Sequence, residues 1–206
     1  MADSQVGHDA AMDETLVAKL FADATASLAS PTYSLPEAAV PDGPGLYALY
    51  AAPDAWLQLG LGQAPPGAAL YVGRSETKDF ETHFRTGRTG QSMVRRSFAA
   101  LLHDHLELRG LPRNQTKPER FDEFTLSEDG DQKLMTWMNE HLQIAAWAQP
   151  VECTHLGTVE IAVLKRWSPP LNLRDSRSTW GARNTAAHKA MANDARTWAR
   201  ENGHKV

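Results

Sequence analysis

The chain has 206 residues, of which 42% are hydrophobic and 22% charged, and its formal net charge is −4. This length is enough for one domain with a substantial core, and the lack of any run of about eighteen apolar residues excludes a transmembrane helix. The single cysteine, Cys153, excludes an intramolecular disulfide and a thiolate-rich zinc site, and the polar, acidic start without an apolar stretch favours a cytoplasmic protein.

Charge is unevenly distributed along the chain. Residues 1–60 contain eight acidic residues and one basic residue, whereas residues 61–120 contain ten basic and six acidic residues, a local net charge of +4. The middle third is therefore expected to present either a basic face to an anionic partner or an ordinary solvated surface. A pI near 6.1 argues against tight non-specific DNA binding, which depends on neutralising phosphates.

The first half of the chain predicts one helix and two strands. Asp13 is typical of a helix N-cap, and the apolar spacing that follows predicts a helix to about Ser30. After a proline-rich extended lead-in, residues 45–50 and 69–73 read as strands that pair with each other. The glycine- and proline-rich segment 53–67 reads as the long connection between them.

The second half alternates helices with one further strand. Apolar residues 142–148 predict a short buried strand, and the two prolines at 169 and 170 end the helix that precedes them. Helices are predicted at 78–85, 92–105, 127–141, 156–167 and 184–202. Because strands and helices do not alternate strictly, the pattern indicates an α+β fold and not a doubly wound sheet.

Glu160 is unusual because it lies in the apolar stripe of its predicted helix, among Leu156, Val159, Val163, Leu164 and Trp167. A carboxylate that faces a core is costly unless it is paired, protonated or bound to a cation. The alternative is a glutamate whose long stem covers the edge of the core while its carboxylate reaches water. The position of Glu160 therefore calls for a chemical explanation, and Asn172 follows it twelve residues later.

Two short motifs place the chain near a known family. Gly45-Leu46-Tyr47 is followed 24 residues later by Tyr71-Val72-Gly73, and this ordered pair resembles the signature of the GIY-YIG nuclease superfamily. The resemblance covers roughly residues 43–175. It continues through Arg74-Ser75, Thr82-His83-Phe84, Ser92-Met93-Val94-Arg95, Glu160 and Pro169-Pro170-Leu171-Asn172.

The resemblance implies a small three-stranded antiparallel sheet flanked by helices and the hydrolysis of phosphodiester bonds with one Mg²⁺ (or Mn²⁺) ion. Glu160 would hold the ion, because Mg²⁺ can be bound by a single carboxylate together with waters and substrate phosphate. Tyr47 would act as general base or orient the attacking water, which for a phenol requires a nearby cation. Tyr71 would hydrogen-bond the phosphate or the water, and Asn172 would brace the site through backbone hydrogen bonds.

One departure from the family pattern concerns an arginine that is usually four residues before the motif histidine. His83 matches the histidine, but the position four residues earlier is Asp79. The family arginine counters charge on the phosphate, a role worth several kcal/mol in comparable sites. Arg74 and Arg95 are the remaining candidates, and Arg95 is the preferred substitute because it lies in the matching Ser-Met-Val-Arg segment. If no cation substitutes, the domain is expected to bind nucleic acid without cutting it.

These observations predict an acidic N-terminal helix and extended lead-in (1–42), a GIY-YIG-like catalytic domain (43–175) and a C-terminal amphipathic helix (176–206). The expected function is that of a metal-dependent endonuclease, with DNA favoured over RNA and with no membrane association; the alternative is a degenerate domain that binds nucleic acid or a protein partner. Besides the catalytic set Tyr47, Tyr71, His83, Arg95, Glu160 and Asn172, the expected nucleic-acid contacts are Arg74, Arg88 and Arg96. The final helix is expected either to contact DNA through its basic residues or to pack on the domain.

Overall fold

The part of the chain that the structure describes contains six α-helices and four β-strands. This computed structural model describes residues 3–30, 33–35, 43–75, 84, 87–151, 153–154, 156–172 and 178–205, with side chains from residue 14 onward. The helices are α1 (Asp3–Leu28), α2 (Pro53–Gln58), α3 (Met93–Leu101), α4 (Glu128–His141), α5 (Leu156–Trp167) and α6 (Thr179–Glu201). The strands are β1 (Tyr33–Ser34), β2 (Gly45–Ala51), β3 (Tyr71–Ser75) and β4 (Leu142–Ala148). The α+β class is thereby confirmed.

The strands form one antiparallel sheet in the order β1-β4-β2-β3. The prediction of three strands is wrong, because the described residues form four. Tyr33 and Ser34 pair with Ile144 and Gln143 along the side of β4 that faces away from β2. A free strand edge offers unpaired N–H and C=O groups, so two residues are enough to add a short strand.

Local signals predicted several element boundaries correctly. The Ser92 hydroxyl accepts a hydrogen bond from the N–H of Arg95 at 3.2 Å, and Ser127 caps α4 by accepting from the N–H of Gly130 at 3.1 Å. Both are N-caps of the usual kind. Strand β4 and helix α5 also have the predicted bounds.

Other boundaries differ from the predictions. The connection expected at 53–67 contains helix α2, which begins with a proline at its first position and buries Trp56 completely. Helix α1 begins ten residues before Asp13, and α6 begins five residues before its predicted start. Most of the helix predicted at 78–85 lies outside the described residues.

Hydrophobic clusters cover both faces of the sheet. On one face, Tyr47 and Leu49 of β2 pack with residues of α3, α4 and α6. On the other face, Leu46, Ala48 and Tyr50 pack with α1 and α5. This alternation follows from the two-residue period of a strand, and it makes β2 the centre of the structure.

Both terminal helices pack on the sheet domain. The hydroxyl of Tyr50 donates to the carbonyl of Leu28 at the end of α1 at 2.5 Å, and burial raises the pKa of Tyr50 to about 12. At the other end of the chain, Met191 and Ala195 of α6 are fully buried with the residues around Tyr47. Among the described helices, none is both long and apolar enough to cross a membrane.

Candidate active site

The two motif tyrosines lie side by side on adjacent strands. Tyr47 of β2 and Tyr71 of β3 have ring centroids 5.9 Å apart, and Phe84 packs edge-on against Tyr47 at 5.6 Å. Tyr47 is only 1% exposed, whereas Tyr71 is half-buried. The pairing predicted from the two triplets therefore brings both phenols to one face of the sheet, with Tyr71 the more accessible to a ligand.

Gly73 makes this arrangement of rings possible. It pairs with Tyr47 in the β2–β3 register, and a Cβ at Gly73 would lie 2.5 Å from the Tyr47 hydroxyl and 2.7 Å from the ring of Tyr71. Real Cβ atoms do not approach that closely, so any side chain at this position would displace a tyrosine. The glycine of the second triplet is thus required by close packing, and its backbone has an ordinary strand conformation.

Glu160 lies at the edge of the buried face of α5 and approaches a strand arginine. Its side chain is 23% exposed, and one carboxylate oxygen lies 4.0 Å from Nε of Arg74, whose side chain is 42% exposed. Gly157, one turn earlier in α5, leaves room for the guanidinium: a Cβ there would lie 3.4 Å from Arg74. The carboxylate therefore faces a cation and partial solvent, and the buried part of the stripe is formed by Leu156, Val159 and Val163.

Asn172 fastens the outer edge of β3. Its side-chain amide donates to the carbonyl of Val72 at 2.7 Å, and its side-chain oxygen accepts from the N–H of Val72 at 2.8 Å. Because β3 is an edge strand, these two backbone groups point away from β2 and would otherwise lack a strand partner. These two hydrogen bonds hold the strand that carries Tyr71 and Arg74.

Arg95 is placed inside the protein, between α3 and α4. It has no exposed surface, and its guanidinium lies 3.2 Å from the carboxylate of Asp131 and near the sulfur atoms of Met135 and Met138. Burial lowers the pKa of Arg95, and the Asp131 charge opposes that change. The N–H and hydroxyl of Thr89 also donate to Asp131. These contacts tie α3, α4 and the Thr89–Gln91 turn together.

The remaining predicted residues are spread around this region. Arg88 is exposed just before the Thr89–Gln91 turn, and Arg96 is half-buried with its guanidinium donating to the carbonyl of Gly90 at 3.1 Å. His83 and Asp79 lie outside the described residues.

The two pairs of site residues meet at the edge strand. Tyr71 points to the face of the sheet that carries Tyr47, whereas Arg74 points to the face covered by α5 and Glu160. Tyr71 and Arg74 are three residues apart on β3, a separation of about 10 Å along a strand. The structure thus brings Tyr47 to Tyr71 and Glu160 to Arg74, and β3 joins the two pairs.

The residues at this edge fit a hydrated divalent cation better than a caged one. Within the described part of the chain, no cluster of three or more His, Cys, Asp or Glu side chains is arranged to hold a metal. A single, partly exposed carboxylate such as Glu160 could hold a divalent cation that retains most of its waters.

Sequence reasoning missed two contacts of this region. The Arg74–Glu160 pair joins residues 86 positions apart, and the Arg95–Asp131 pair joins residues 36 positions apart. No periodicity links positions so distant, so only Gly157, a glycine within a helix, hinted that another group approaches α5 closely.

Comparison with known proteins agrees with the geometry. The family model for the GIY-YIG catalytic domain matches residues 61–193, more than half of the chain, and this range contains Tyr71, Arg74, Glu160 and Asn172. It begins after Tyr47, whose place beside Tyr71 follows from the pairing of β2 with β3. Searches of the curated proteins and of the solved structures found no significant match. On the family match, together with the paired tyrosines and the Asn172 brace, the chain belongs to the GIY-YIG family.

Proposed function

We propose that this protein is a metal-dependent endonuclease that hydrolyses phosphodiester bonds, with DNA preferred to RNA. Membership of a nuclease family supports nuclease activity in general. The observation that carries the finer proposal is the partly exposed carboxylate of Glu160, which faces Arg74 on the strand that also carries Tyr71. The proposal combines a cation ligand and a phosphate-binding cation on the α5 face of β3 with a phenol on the other face of the same edge strand.

In this proposal each residue has a separate task. Glu160 would hold the cation, and a bound cation would supply polarisation of the phosphate and stabilisation of the leaving oxygen. Tyr71, the more accessible phenol, hydrogen-bonds the phosphate or the water, while Tyr47 orients the attacking water or accepts its proton. The water oxygen forms the new bond to phosphorus as the bond to the leaving oxygen breaks. Asn172 keeps β3 in position.

Arg74 is the cation that we propose in place of the family arginine. It is 42% exposed and adjoins Glu160, so it can reach a phosphate bound at the metal. Arg95 was preferred on sequence grounds, but its guanidinium is engaged with Asp131 in the interior. A guanidinium suits the phosphate role, because its donors match phosphate oxygens. His83 stays a candidate; its chain neighbour Phe84 packs on Tyr47.

The alternative function is a domain that binds nucleic acid or a protein partner without cleavage. One observation favours it: Arg95, the expected substitute for the missing arginine, is buried away from solvent. The two functions differ in the role of Arg74. A nuclease needs a cation such as Arg74 at the phosphate that it cleaves, whereas a domain that only binds does not.

The proposed function is tested by incubating the purified protein with supercoiled plasmid, duplex DNA, single-stranded DNA and RNA. We expect cleavage that requires Mg²⁺ or Mn²⁺, stops on chelation and is faster on DNA. Binding without cleavage in any metal would support the alternative, and faster cleavage of RNA would overturn the preference for DNA.

Replacing Arg74 with glutamine is expected to change two measurements in opposite directions. Removing a positive charge 4.0 Å from Glu160 should tighten Mn²⁺ binding a few-fold, because like charges repel. The same substitution should slow cleavage about a hundredfold, because a phosphate-stabilising cation contributes about 3 kcal/mol. Calorimetric titration with Mn²⁺ and single-turnover cleavage check the two effects.

Arg166→Gln provides the matched control, because Arg166 is an exposed arginine in the last turn of α5. Arg166→Gln should leave both the Mn²⁺ affinity and the cleavage rate nearly unchanged. If Arg74→Gln cleaves at the wild-type rate, Arg74 is not the substitute cation.

A further inference from the structure

A basic hollow lies beside the Thr89–Gln91 turn, in the loop between α3 and α4. The loop is closed by a two-residue antiparallel bridge in which Leu111 and Thr125 exchange backbone hydrogen bonds of 2.9 Å. It encloses an open volume of about 590 Å³. Three cations, Arg113, Lys117 and Arg120, line it and are 54%, 79% and 72% exposed. All three side chains therefore reach solvent, and each also pairs with a carboxylate: Lys117 with Glu119 at 3.0 Å, and both arginines with Glu123.

Two acidic residues, Glu119 and Glu123, line the hollow, and Glu123 orients the arginines. Glu123 is 21% exposed and pairs with Arg113 at 3.4 Å and with Arg120. A guanidinium has five N–H donors, so each arginine keeps donors for a second anion after pairing with Glu123. The side-chain oxygen of Asn114 accepts from the N–H groups of Thr116 and Lys117 at 3.0 Å, which shapes the loop before any ligand arrives.

Positive charge continues around the hollow. The guanidinium of Arg196 from α6 lies 5.3 Å from the ring centroid of Phe121, and Arg96 donates to Gly90 on the neighbouring turn. The five cations outnumber the three nearby carboxylates, Glu119, Asp122 and Glu123, by two. The local balance is thus positive in a chain whose net charge is −4.

The hollow is within reach of the tyrosine pair. Gly90 lies against the loop, since a Cβ there would be 3.7 Å from Arg113, and six residues earlier Phe84 packs on Tyr47. Six residues span at most about 20 Å. A nucleic-acid strand rises about 3.4 Å per nucleotide, so this distance corresponds to about six nucleotides or fewer.

We propose that the hollow binds backbone phosphates of the nucleic-acid substrate a few nucleotides from the cleaved bond, with Arg113, Lys117 and Arg120 as the contacts. The inference rests on the proposed function for the identity of the ligand. Binding at the hollow should not depend on base sequence, because the guanidinium and ammonium groups would contact phosphates and not bases. The hollow would thus hold the strand while the residues around β3 act on it.

The test uses long duplexes of about 30 base pairs, in DNA and RNA versions. The double variant Arg113→Gln/Arg120→Gln and the single variant Lys117→Gln are compared with Lys133→Gln/Lys165→Gln, which removes two exposed charges elsewhere. Binding is measured without metal over a range of salt concentrations, and single-turnover cleavage is measured with metal. Circular dichroism confirms that each variant is folded.

We expect the double variant to weaken binding of the long duplex about tenfold. The slope of log K against the logarithm of the salt concentration should become smaller in magnitude by about one to two, roughly one per lost phosphate contact. Lys117→Gln should show a smaller change of the same kind. The cleavage rate at saturating duplex should be unaffected. Equal losses in the control variant or an unchanged salt dependence would each overturn the proposal, as would a wild-type protein that binds neither DNA nor RNA.

The binding arm separates this inference from the proposed function. If the wild-type protein binds but never cleaves, and the hollow variants still weaken binding of the long duplex, the hollow stands and the nuclease assignment fails. If cleavage is observed but the variants leave long-duplex binding unchanged, the nuclease assignment stands and the hollow fails.

Discussion

Replacing Glu160 with glutamine is expected to reduce metal-dependent cleavage about a thousandfold and to leave the fold intact. The amide has the shape of the carboxylate but lacks the charge that holds a hard cation, and a loss of about 4 kcal/mol in the transition state corresponds to three powers of ten in rate. Stability should change little, because the pair with Arg74 spans 4.0 Å and is partly exposed. Single-turnover cleavage and thermal unfolding measure the two effects.

Two further measurements make this prediction specific. Glu201→Gln, which removes an exposed carboxylate from the last turn of α6, should cleave at the wild-type rate. Calorimetric titration of Glu160→Gln with Mn²⁺ should show binding lost or greatly weakened. Cleavage that survives Glu160→Gln at more than a tenth of the wild-type rate would show that the cation is held elsewhere.

Replacing Arg95 with leucine is expected to lower the free energy of unfolding by about 3 kcal/mol, because breaking a buried ion pair leaves an uncompensated charge. Arg95 has no exposed surface, and among the described residues its loss leaves Asp131 with only the hydrogen bonds from Thr89. For a domain of this size the melting temperature should fall by about 10 °C. Chemical denaturation and calorimetry measure these quantities.

A double-mutant cycle tests whether the charge pair causes the loss. Asp131→Asn alone should also lower the free energy of unfolding, because it leaves the buried guanidinium of Arg95 without its carboxylate partner. The combined variant should lose less stability than the sum of the two single variants. Additive losses would show that packing against the methionines dominates. The cycle also separates two roles for Arg95. If folded Arg95→Leu cleaves within a fewfold of the wild-type rate, Arg95 acts through packing; a hundredfold loss would identify it as the substitute cation.

Local chemistry made several parts of this structure predictable from the sequence. Ser92 and Ser127 cap helices through N–H groups only three residues away, and the apolar run at 142–148 forms the buried strand β4. The stripe around Glu160 defined α5 because every third or fourth residue of a helix shares a face. Each of these signals involves residues within one or two turns of the chain.

Strand β1 and the short helix α2 were less predictable. Strand β1 contains two residues and carries no pattern of its own, so it exists only because β4 has a free edge. Helix α2 begins at a proline in a segment whose composition favours turns. Burial of Trp56 stabilises the helix in spite of that composition. In both cases tertiary contacts outweigh local preference.

The sequence by itself determined the family resemblance, the pairing of Tyr47 with Tyr71 and the anomaly of a carboxylate at Glu160, because these depend on residue types at short or ordered spacings. Only the tertiary structure decided that Arg74 adjoins Glu160 and that Arg95 is paired with Asp131. Both arginines look alike in sequence, since each is a long cation near a motif. What each arginine can do depends on a partner that lies 86 positions away for Arg74 and 36 positions away for Arg95. Such partners come together only when the helices pack on the sheet.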